Sequence, residues 1–430
     1  MRKSLLVSLC FVVAWAAGAL GWVALQKDDP LLDQDEVYWI GSAYYYDLAW
    51  VRRDWRHEAW RLLPARENPP VCKYVLGLGL ATAGHRVESI ENLAYFYLKW
   101  LRWENPAAVP TNAAEEKRAA VVRAAGPEFM RQVLDGRRAP LPRPVVGAAR
   151  TTVLVCAVLG SLSLLLLGWS VGDRVAGLVA SVLLLVHPVA ASAASHAMSD
   201  TIALLFAVAA AWAVTNWYRR LAAPDGPRGL GPAVLAGVAL GLACAAKMNA
   251  LVLVLLAGAL TAIAMAQRWR AGAGRGVGAA ARQGIAVLVV ALALFVAINP
   301  AILADFPRAL AAPIMEHRLT EATQVDLHDP HPAGLGGKLA AVARMAFYGW
   351  EFFAVMAGLV AWCAVRRWRE PAVRVAVIWW GLALASVTLW LPFAWPRYVL
   401  PLLAPSAWIA GLALTAAWQA AVRRNAAASP

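Results

Sequence analysis

Two adjacent acids, Asp35 and Glu36, follow the first hydrophobic stretch of this 430-residue chain. A carboxylate at a membrane face can act as a general base, taking the proton from an acceptor hydroxyl as that hydroxyl attacks a sugar carbon. The alternative is two solvated loop acids near the start of a helix. Their position after a membrane span, rather than the pair itself, makes both acids candidate catalytic residues.

A paired-proline motif, Glu67-Asn68-Pro69-Pro70, comes just before Lys73. The prolines favour an extended turn ahead of an apolar segment, which would hold Glu67 and Lys73 at the membrane interface. Lys73 could then meet a phosphate as a point charge, with Glu67 and Asn68 positioning the substrate. Alternatively, Pro-Pro only begins a helix and Lys73 snorkels toward water.

Lys247 and Arg397 are the basic residues expected on the short outer turns, and Tyr398 follows Arg397. Unpaired cations at that depth are costly unless an anion meets them. A lipid phosphate, of a substrate or of a bulk headgroup, is the obvious anion. Asp200 opens a hydrophobic stretch, where a carboxylate suits the helix dipole and can cap free amides. We interpret Asp200 as a cap and as a candidate substrate-positioning residue.

The elements that must position these residues are membrane helices. The chain is 61% hydrophobic and its mean hydropathy is +0.56, which is typical of an integral membrane protein. About ten apolar stretches have the length that a bilayer requires of a helix. They lie near 4–25, 150–169, 175–193, 200–218, 232–246, 248–267, 284–303, 341–364, 375–392 and 398–421.

Basic residues indicate the orientation of these spans. With the N-terminus inside, the inner segments carry most of the lysines and arginines, including Arg219, Arg268 and Arg366, whereas the short outer turns carry Lys247 and Arg397. This asymmetry follows the positive-inside rule and predicts cytoplasmic termini. It also accounts for the net charge of +14, because no basic domain stands outside the membrane. A nucleic-acid partner is therefore excluded, and anionic lipid headgroups are expected instead.

The spans divide the chain into five segments. We expect a retained first helix at 1–25, an outer-face segment at 26–149, and transmembrane helices 2–7 at 150–303. A second outer loop follows at 304–340, and 341–430 contains helices 8–10 and a short cytoplasmic tail. Aromatic residues interleaved with arginine over 43–63 predict a helix lying in the membrane interface, aromatic side down. The spacing of the five cysteines implies no disulfide or zinc framework.

The order of these motifs resembles the GT-C superfamily of membrane glycosyltransferases. The similarity is to the family 39 branch, which holds protein O-mannosyltransferases and lipid A aminoarabinose transferases, and it covers roughly residues 30–405. It rests on Asp35-Glu36, Glu67-Asn68-Pro69-Pro70 with Lys73, Arg150, the stretch 172–177, Asp200, the stretch 241–247, Asn299-Pro300 and the stretch 397–401.

The resemblance implies an inverting transfer of sugar from a polyprenyl-phosphate donor to an acceptor hydroxyl on the outer face of a bacterial inner membrane. In the family, the first acid of the pair is the catalytic carboxylate, which corresponds to Asp35. Basic residues near Pro-Pro and in the late Arg-Tyr motif hold the donor phosphate, which corresponds to Lys73 and Arg397. Asn68 stands where relatives carry His or Lys immediately before Pro-Pro. Whether the protein binds a divalent metal is therefore left open.

Two other functional classes remain compatible with these features. A flippase or transporter of lipid-linked sugars would also suit outer-face cations and interfacial aromatic residues, although transporters tend to bind substrate near the midplane. A non-catalytic GT-C scaffold that binds lipid carriers is the third interpretation. A transferase requires Asp35, Lys73, Lys247 and Arg397 to converge on one outer cavity. The acceptor, whether protein, lipid or glycan, is not predicted.

Overall fold

The structure is a computed structural model and describes residues 34–89, 113–134, 141–223, 229–306, 308–309, 311, 332, 334–391 and 394–428, together with positions 18 and 21. The described residues are helical or irregular and contain no strand. This confirms the predicted all-α polytopic fold. Apart from positions 18 and 21, the expected first span at 4–25 lies outside the described residues, as does most of the second outer loop at 304–340.

Among the described residues, three longer helices belong to the outer segment, and the longer helices from residue 143 onward form the bundle. Helices α1 to α3 are Gln34–Ser42, Val71–Thr82 and Ala113–Leu134. The bundle helices α4 to α9 are Arg143–Val171, Arg174–Val186, Pro188–Ser195, Ser199–Ala222, Gly231–Ala246 and Leu251–Arg270. Helices α10 to α14 are Gly274–Ala297, Gly334–Phe347, Trp350–Arg366, Pro371–Trp390 and Leu400–Ala428.

Six of the described helices are long and apolar enough to cross a membrane, or up to eight spans exist if each of two bent pairs counts as one. The pairs are α5 with α6, bent by 63°, and α11 with α12, bent by 87°. Both were expected as single helices. The first breaks at His187 because Pro188 disfavours a helical conformation in the residue before it. The second breaks where Tyr348 and Gly349 have φ of +58° and +147°, values that end a right-handed helix.

The expected fifth span at 232–246 is α8, a helix of 16 residues. It is shorter than the roughly 20 residues that usually cross a bilayer, and it packs closely against α10. A Cβ atom added at Gly237 would lie 2.7 Å from the carbonyl oxygen of Val287, and one at Gly241 would lie 2.7 Å from that of Ala291. Glycine therefore lets the two backbones approach, as small residues commonly do between membrane helices.

The outer segment folds differently from the interfacial helix expected over 43–63. It consists of the short helices Tyr44–Tyr46, Asp47–Val51, Glu58–Arg61 and Leu63–Glu67, of which the second is a π-helix and the third a 3₁₀-helix. Tyr45 and Trp60 are fully buried, with ring centroids 5.1 Å apart. These aromatic residues build a second hydrophobic core between the outer segment and the bundle, so the prediction of an aromatic side turned toward lipid was wrong for them.

Candidate active site

The candidate site lies at the end of the bundle where α7 begins and α8 ends. The 3₁₀-helix Pro396–Val399 precedes α14 at this same end, and α1 and α2 of the outer segment pack onto it. Because α1 supplies Asp35 and Glu36 and the bundle supplies Asp200, Lys247 and Arg397, the site forms where the two parts of the chain meet.

Asp35 is paired with Arg397. Its carboxylate Oδ2 accepts a hydrogen bond from Nη1 of the Arg397 guanidinium, and the two side chains are 43% and 24% exposed. Asp35 lies in the first turn of α1. The pair therefore joins the start of the outer segment to the last turn before α14, and it stays open to the surface of the protein.

Two aromatic rings and a thioether hold the Arg397 guanidinium in place. The rings of Trp395 and Tyr398 are stacked with centroids 5.7 Å apart, and the guanidinium carbon lies 4.6 Å and 5.7 Å from those centroids. Nη1 also lies 3.7 Å from Sδ of Met198. A cation over aromatic faces is attracted to their quadrupoles, so this guanidinium keeps its position without depending on one carboxylate.

Glu36 forms a closed pair with Arg150 at the start of α4. Nε and Nη2 of Arg150 donate to the two carboxylate oxygens at 2.8 Å and 2.7 Å, and the amide of Ala197 donates to Oε1 at 2.7 Å. The Glu36 side chain is fully buried and that of Arg150 is 7% exposed. Adjacent helical residues point about 100° apart, which explains why two neighbouring acids have such different surroundings.

Asp200 and Lys247 form a second partly exposed ion pair. Nζ of Lys247 lies 2.5 Å from Oδ1 of Asp200, and the side chains are 25% and 9% exposed. Asp200 lies in the first turn of α7, where the helix dipole favours a carboxylate. The pair borders a cavity of about 30 Å³ whose lining is largely apolar and includes Asp200, Asn249, Trp379, Leu400 and Pro401.

Cys72 connects α2 to both helix ends that carry this pair. Its Sγ lies 3.5 Å from the carbonyl oxygen of Ser199 and 3.2 Å from that of Ala246. These are the residues immediately before Asp200 and Lys247. Burial raises the pKa of the Cys72 thiol, so the thiol stays protonated and able to donate. No sequence motif indicates this contact, because a lone cysteine in an outer segment has many uses.

Lys73 points into the outer segment. It is fully buried, its ammonium donates to the carbonyl oxygens of Pro64 and Asn68, the latter at 2.5 Å, and Nζ lies 5.2 Å from the centroid of the Tyr45 ring. As placed, it would reach a donor phosphate only after the short helix Leu63–Glu67 and Asn68 rearranged. Phosphate binding by Lys73 stays a prediction.

Glu67 and Asn68 meet the hydroxyl of Tyr38. That hydroxyl donates to Oε2 of Glu67 at 3.1 Å and accepts from Nδ2 of Asn68 at 3.0 Å. Tyr38 lies three residues after Asp35, which is about one turn of α1. The paired-proline motif thus contacts the helix that presents Asp35. Tyr38 was not predicted as a site residue, although its spacing of three residues from Asp35 places both residues on the same face of α1.

Metal binding was left open by the sequence. Over the residues that the structure describes, no group of three or more histidine, cysteine, aspartate or glutamate side chains has an arrangement that could hold a metal ion.

Known proteins resemble this chain in sequence over part of its length and in fold over nearly all of it. Residues 127–306 match the family model described as dolichyl-phosphate-mannose-protein mannosyltransferase. The crystal structure of ArnT from Cupriavidus metallidurans bound to undecaprenyl phosphate aligns over 95% of this chain and 60% of its own, with 17% identity and a TM-score of 0.55. The chain has the GT-C fold. This confirms the resemblance that the sequence motifs indicated.

A second GT-C structure supports the same conclusion about the fold. The apo oligosaccharyltransferase from Archaeoglobus fulgidus aligns over 96% of this chain and 51% of its own, with 13% identity and a TM-score of 0.51. This GT-C chain thus spans 60% of the ArnT chain and about half of the oligosaccharyltransferase. No curated protein sequence matches it.

Proposed function

We propose that this GT-C chain is an inverting glycosyltransferase that moves a sugar from a polyprenyl-phosphate donor to an acceptor hydroxyl. The observation that carries the proposal is the pairing of Asp35 with Arg397 and of Asp200 with Lys247 at one end of the bundle. These pairs bring carboxylates and cations together in partly exposed positions. The partial match to a protein mannosyltransferase family supports the same reaction class.

Arg397 and Lys247 are the proposed ligands of the donor phosphate, with Tyr398 beside Arg397. Both cations are about one-quarter exposed, so an anion can approach them. The apolar residues that line the small cavity next to Asp200 and Asn249 would face the first part of the lipid tail. A relative in fold was crystallised with undecaprenyl phosphate, which supports a lipid phosphate as the donor class.

Asp35 is the proposed general base. It would take the proton from the acceptor hydroxyl while the hydroxyl oxygen forms a bond to the anomeric carbon of the sugar. The bond between that carbon and the phosphate oxygen breaks, and the phosphate leaves with the electron pair. Arg397 and Lys247 stabilise the charge that develops on the leaving phosphate. One displacement inverts the anomeric centre, and no covalent intermediate with the protein is needed.

Glu36 suits a positioning role better than proton transfer. Its carboxylate is closed off by Arg150 and by the amide of Ala197, so an acceptor hydroxyl has no path to it. Instead, the pair holds α1 against the start of α4. Glu67 and Asn68 would assist from the other side of α1 through Tyr38, and so help to position Asp35.

A membrane setting completes the proposal. We infer a multi-pass protein of the bacterial inner membrane with cytoplasmic termini and the site facing the periplasm, on the basis of the basic residues at the opposite ends of the spans. The acceptor would be a protein, a lipid or a glycan. The alternatives of a flippase and a non-catalytic scaffold are less favoured, since the candidate site lies at a helix end and contains an exposed carboxylate beside a cation.

The test is transfer from a panel of radiolabelled polyprenyl-phosphate sugars by the purified full chain, with crude envelope acceptors. Asp35→Asn should lower transfer by at least about a hundredfold, because a neutral amide cannot accept the proton. Glu88→Gln is the matched control, since it also removes one outer-segment carboxylate, from a side chain that is 64% exposed. Full activity of Asp35→Asn would refute the assignment of the base. Wild-type protein that binds donor lipids but never turns over would favour the flippase or scaffold.

A further inference from the structure

We propose that the ion pair between Asp35 and Arg397 is a latch that the donor phosphate opens, so that the base is released only when the donor is bound. This inference rests on the proposed function and concerns the regulation of the same site. Its starting point is a conflict: the carboxylate that should accept a proton is already the counter-ion of the cation that should bind phosphate.

The two ion pairs of α1 differ in whether a third group can enter. Glu36 and Arg150 satisfy each other through two hydrogen bonds in a buried position. Breaking such a pair leaves uncompensated charge inside the protein and is strongly unfavourable. Asp35 and Arg397 share one hydrogen bond and are both partly exposed. Water and ions can replace either partner at a small cost.

A phosphate is the kind of ligand that would replace Asp35. Guanidinium groups bind phosphate oxygens through two parallel hydrogen bonds, whereas Asp35 occupies only Nη1 of Arg397. The rings of Trp395 and Tyr398 keep the guanidinium in position whichever anion it holds. Exchange of the counter-ion therefore needs movement of Asp35 but not of Arg397.

Release changes what Asp35 can do. While the pair is closed, Oδ2 of Asp35 accepts a hydrogen bond from Arg397. Before the donor binds, this oxygen is therefore directed at the guanidinium and not at an acceptor hydroxyl. After exchange, the same oxygen can turn to the acceptor hydroxyl and take its proton. The latch predicts that the donor binds before the acceptor is activated.

Binding measurements separate this latch from a base that only happens to lie near Arg397. The probes are farnesyl phosphate and farnesol, which share an isoprenoid chain and differ in the phosphate, and binding is measured by calorimetry on the purified full chain in detergent. If Asp35 competes with phosphate for Arg397, Asp35→Asn should bind farnesyl phosphate about tenfold more tightly than the wild type does. Farnesol binding should be unchanged.

Three variants make the result specific. Glu88→Gln removes a carboxylate elsewhere in the outer segment and should leave both affinities as in the wild type. Arg397→Gln should lose the preference for farnesyl phosphate over farnesol, because it removes the proposed phosphate ligand. Asp35→Ser carries the same expectation as Asp35→Asn and replaces it if the amide variant does not fold.

The outcomes distinguish the latch from the function on which it rests. Equal or weaker binding of farnesyl phosphate by both Asp35 variants, with a wild type that prefers the phosphate over farnesol, would overturn the latch and leave the donor site standing. A wild type without any preference for the phosphate would instead overturn the proposed donor class. Tighter binding of farnesol as well would mean that Asp35 only blocks access, which also contradicts the latch.

Discussion

Adjacent acids on α1 meet two different arginines, and the difference in burial separates their expected roles. Asp35 contacts Arg397 at a partly exposed position, whereas Glu36 contacts Arg150 inside the protein. The sequence pair Asp-Glu contains no hint of this division. It follows from the direction in which each side chain leaves the helix, since one points toward the end of the bundle and the other into its core.

Loss of Glu36 should therefore destabilise the protein. Glu36→Gln removes the charge that accepts two hydrogen bonds from the buried Arg150 guanidinium, and we expect the free energy of unfolding to fall by about 3–5 kcal/mol. The double variant Glu36→Gln/Arg150→Met removes both charges and should recover part of the loss. Chemical denaturation in detergent micelles measures both effects. A single variant as stable as the wild type would show that the pair does not hold α1 to α4.

At the scale of the elements, glycines decide how closely α8 and α10 approach. Gly237 and Gly241 are four residues apart on α8, and both face backbone carbonyl oxygens of α10. This contact positions the end of α8, which carries Lys247 one residue beyond its last turn. A short helix thus keeps a site residue in place through backbone packing.

Methyl groups at this crossing should be destabilising. Gly237→Ala or Gly241→Ala brings a Cβ to within 2.7 Å of a backbone oxygen, and we expect a loss of about 1–3 kcal/mol from overpacking. Gly258→Ala on α9 is the matched control, since nothing lies within 4 Å of its added Cβ and alanine favours a helix. Thermal unfolding in detergent compares them. A melting temperature that falls equally in all three would contradict the close-packing argument.

The two bent helix pairs were not predictable from hydropathy. Both α5–α6 and α11–α12 have enough apolar residues for a single span, and their breaks lie within otherwise continuous apolar stretches. Pro188 was visible in the sequence as a signal for the first break. The second depends on Tyr348, a non-glycine residue with positive φ, which no local preference would have indicated.

At the scale of the whole molecule, the bundle has two chemically different ends. The candidate site lies where α7 and α14 begin, and basic residues such as Arg219, Arg275 and Arg366 lie at or near the opposite helix ends. In a membrane, this distribution predicts that the site end faces outward.

Labelling of single introduced cysteines tests this orientation. Arg56→Cys in the outer segment and Arg275→Cys in the first turn of α10 both replace exposed arginines. In intact cells with a permeable outer membrane, a membrane-impermeant maleimide should modify only the variant at 56, and lysis should make the variant at 275 reactive. The described native cysteines, including Cys72, are buried and should stay unlabelled in both. Labelling of the variant at 275 in intact cells would invert the proposed topology.

The sequence by itself determined the class of the protein and most of its helices. A bilayer requires long apolar segments, and such segments can be recognised from a short window of sequence. It also singled out Lys247 and Arg397 as the basic residues of the short outer turns, and Asp35 and Asp200 by their positions after a span and at the start of one.

Only the tertiary structure decided which charges meet. Asp35 and Arg397 are 362 residues apart in sequence, and Glu36 and Arg150 are 114 apart. Such pairs depend on how the outer segment packs on the bundle, a property that no window of sequence contains. Burial likewise distinguishes two lysines, since the buried Lys73 binds backbone carbonyl oxygens whereas Lys247 is 25% exposed and pairs with Asp200.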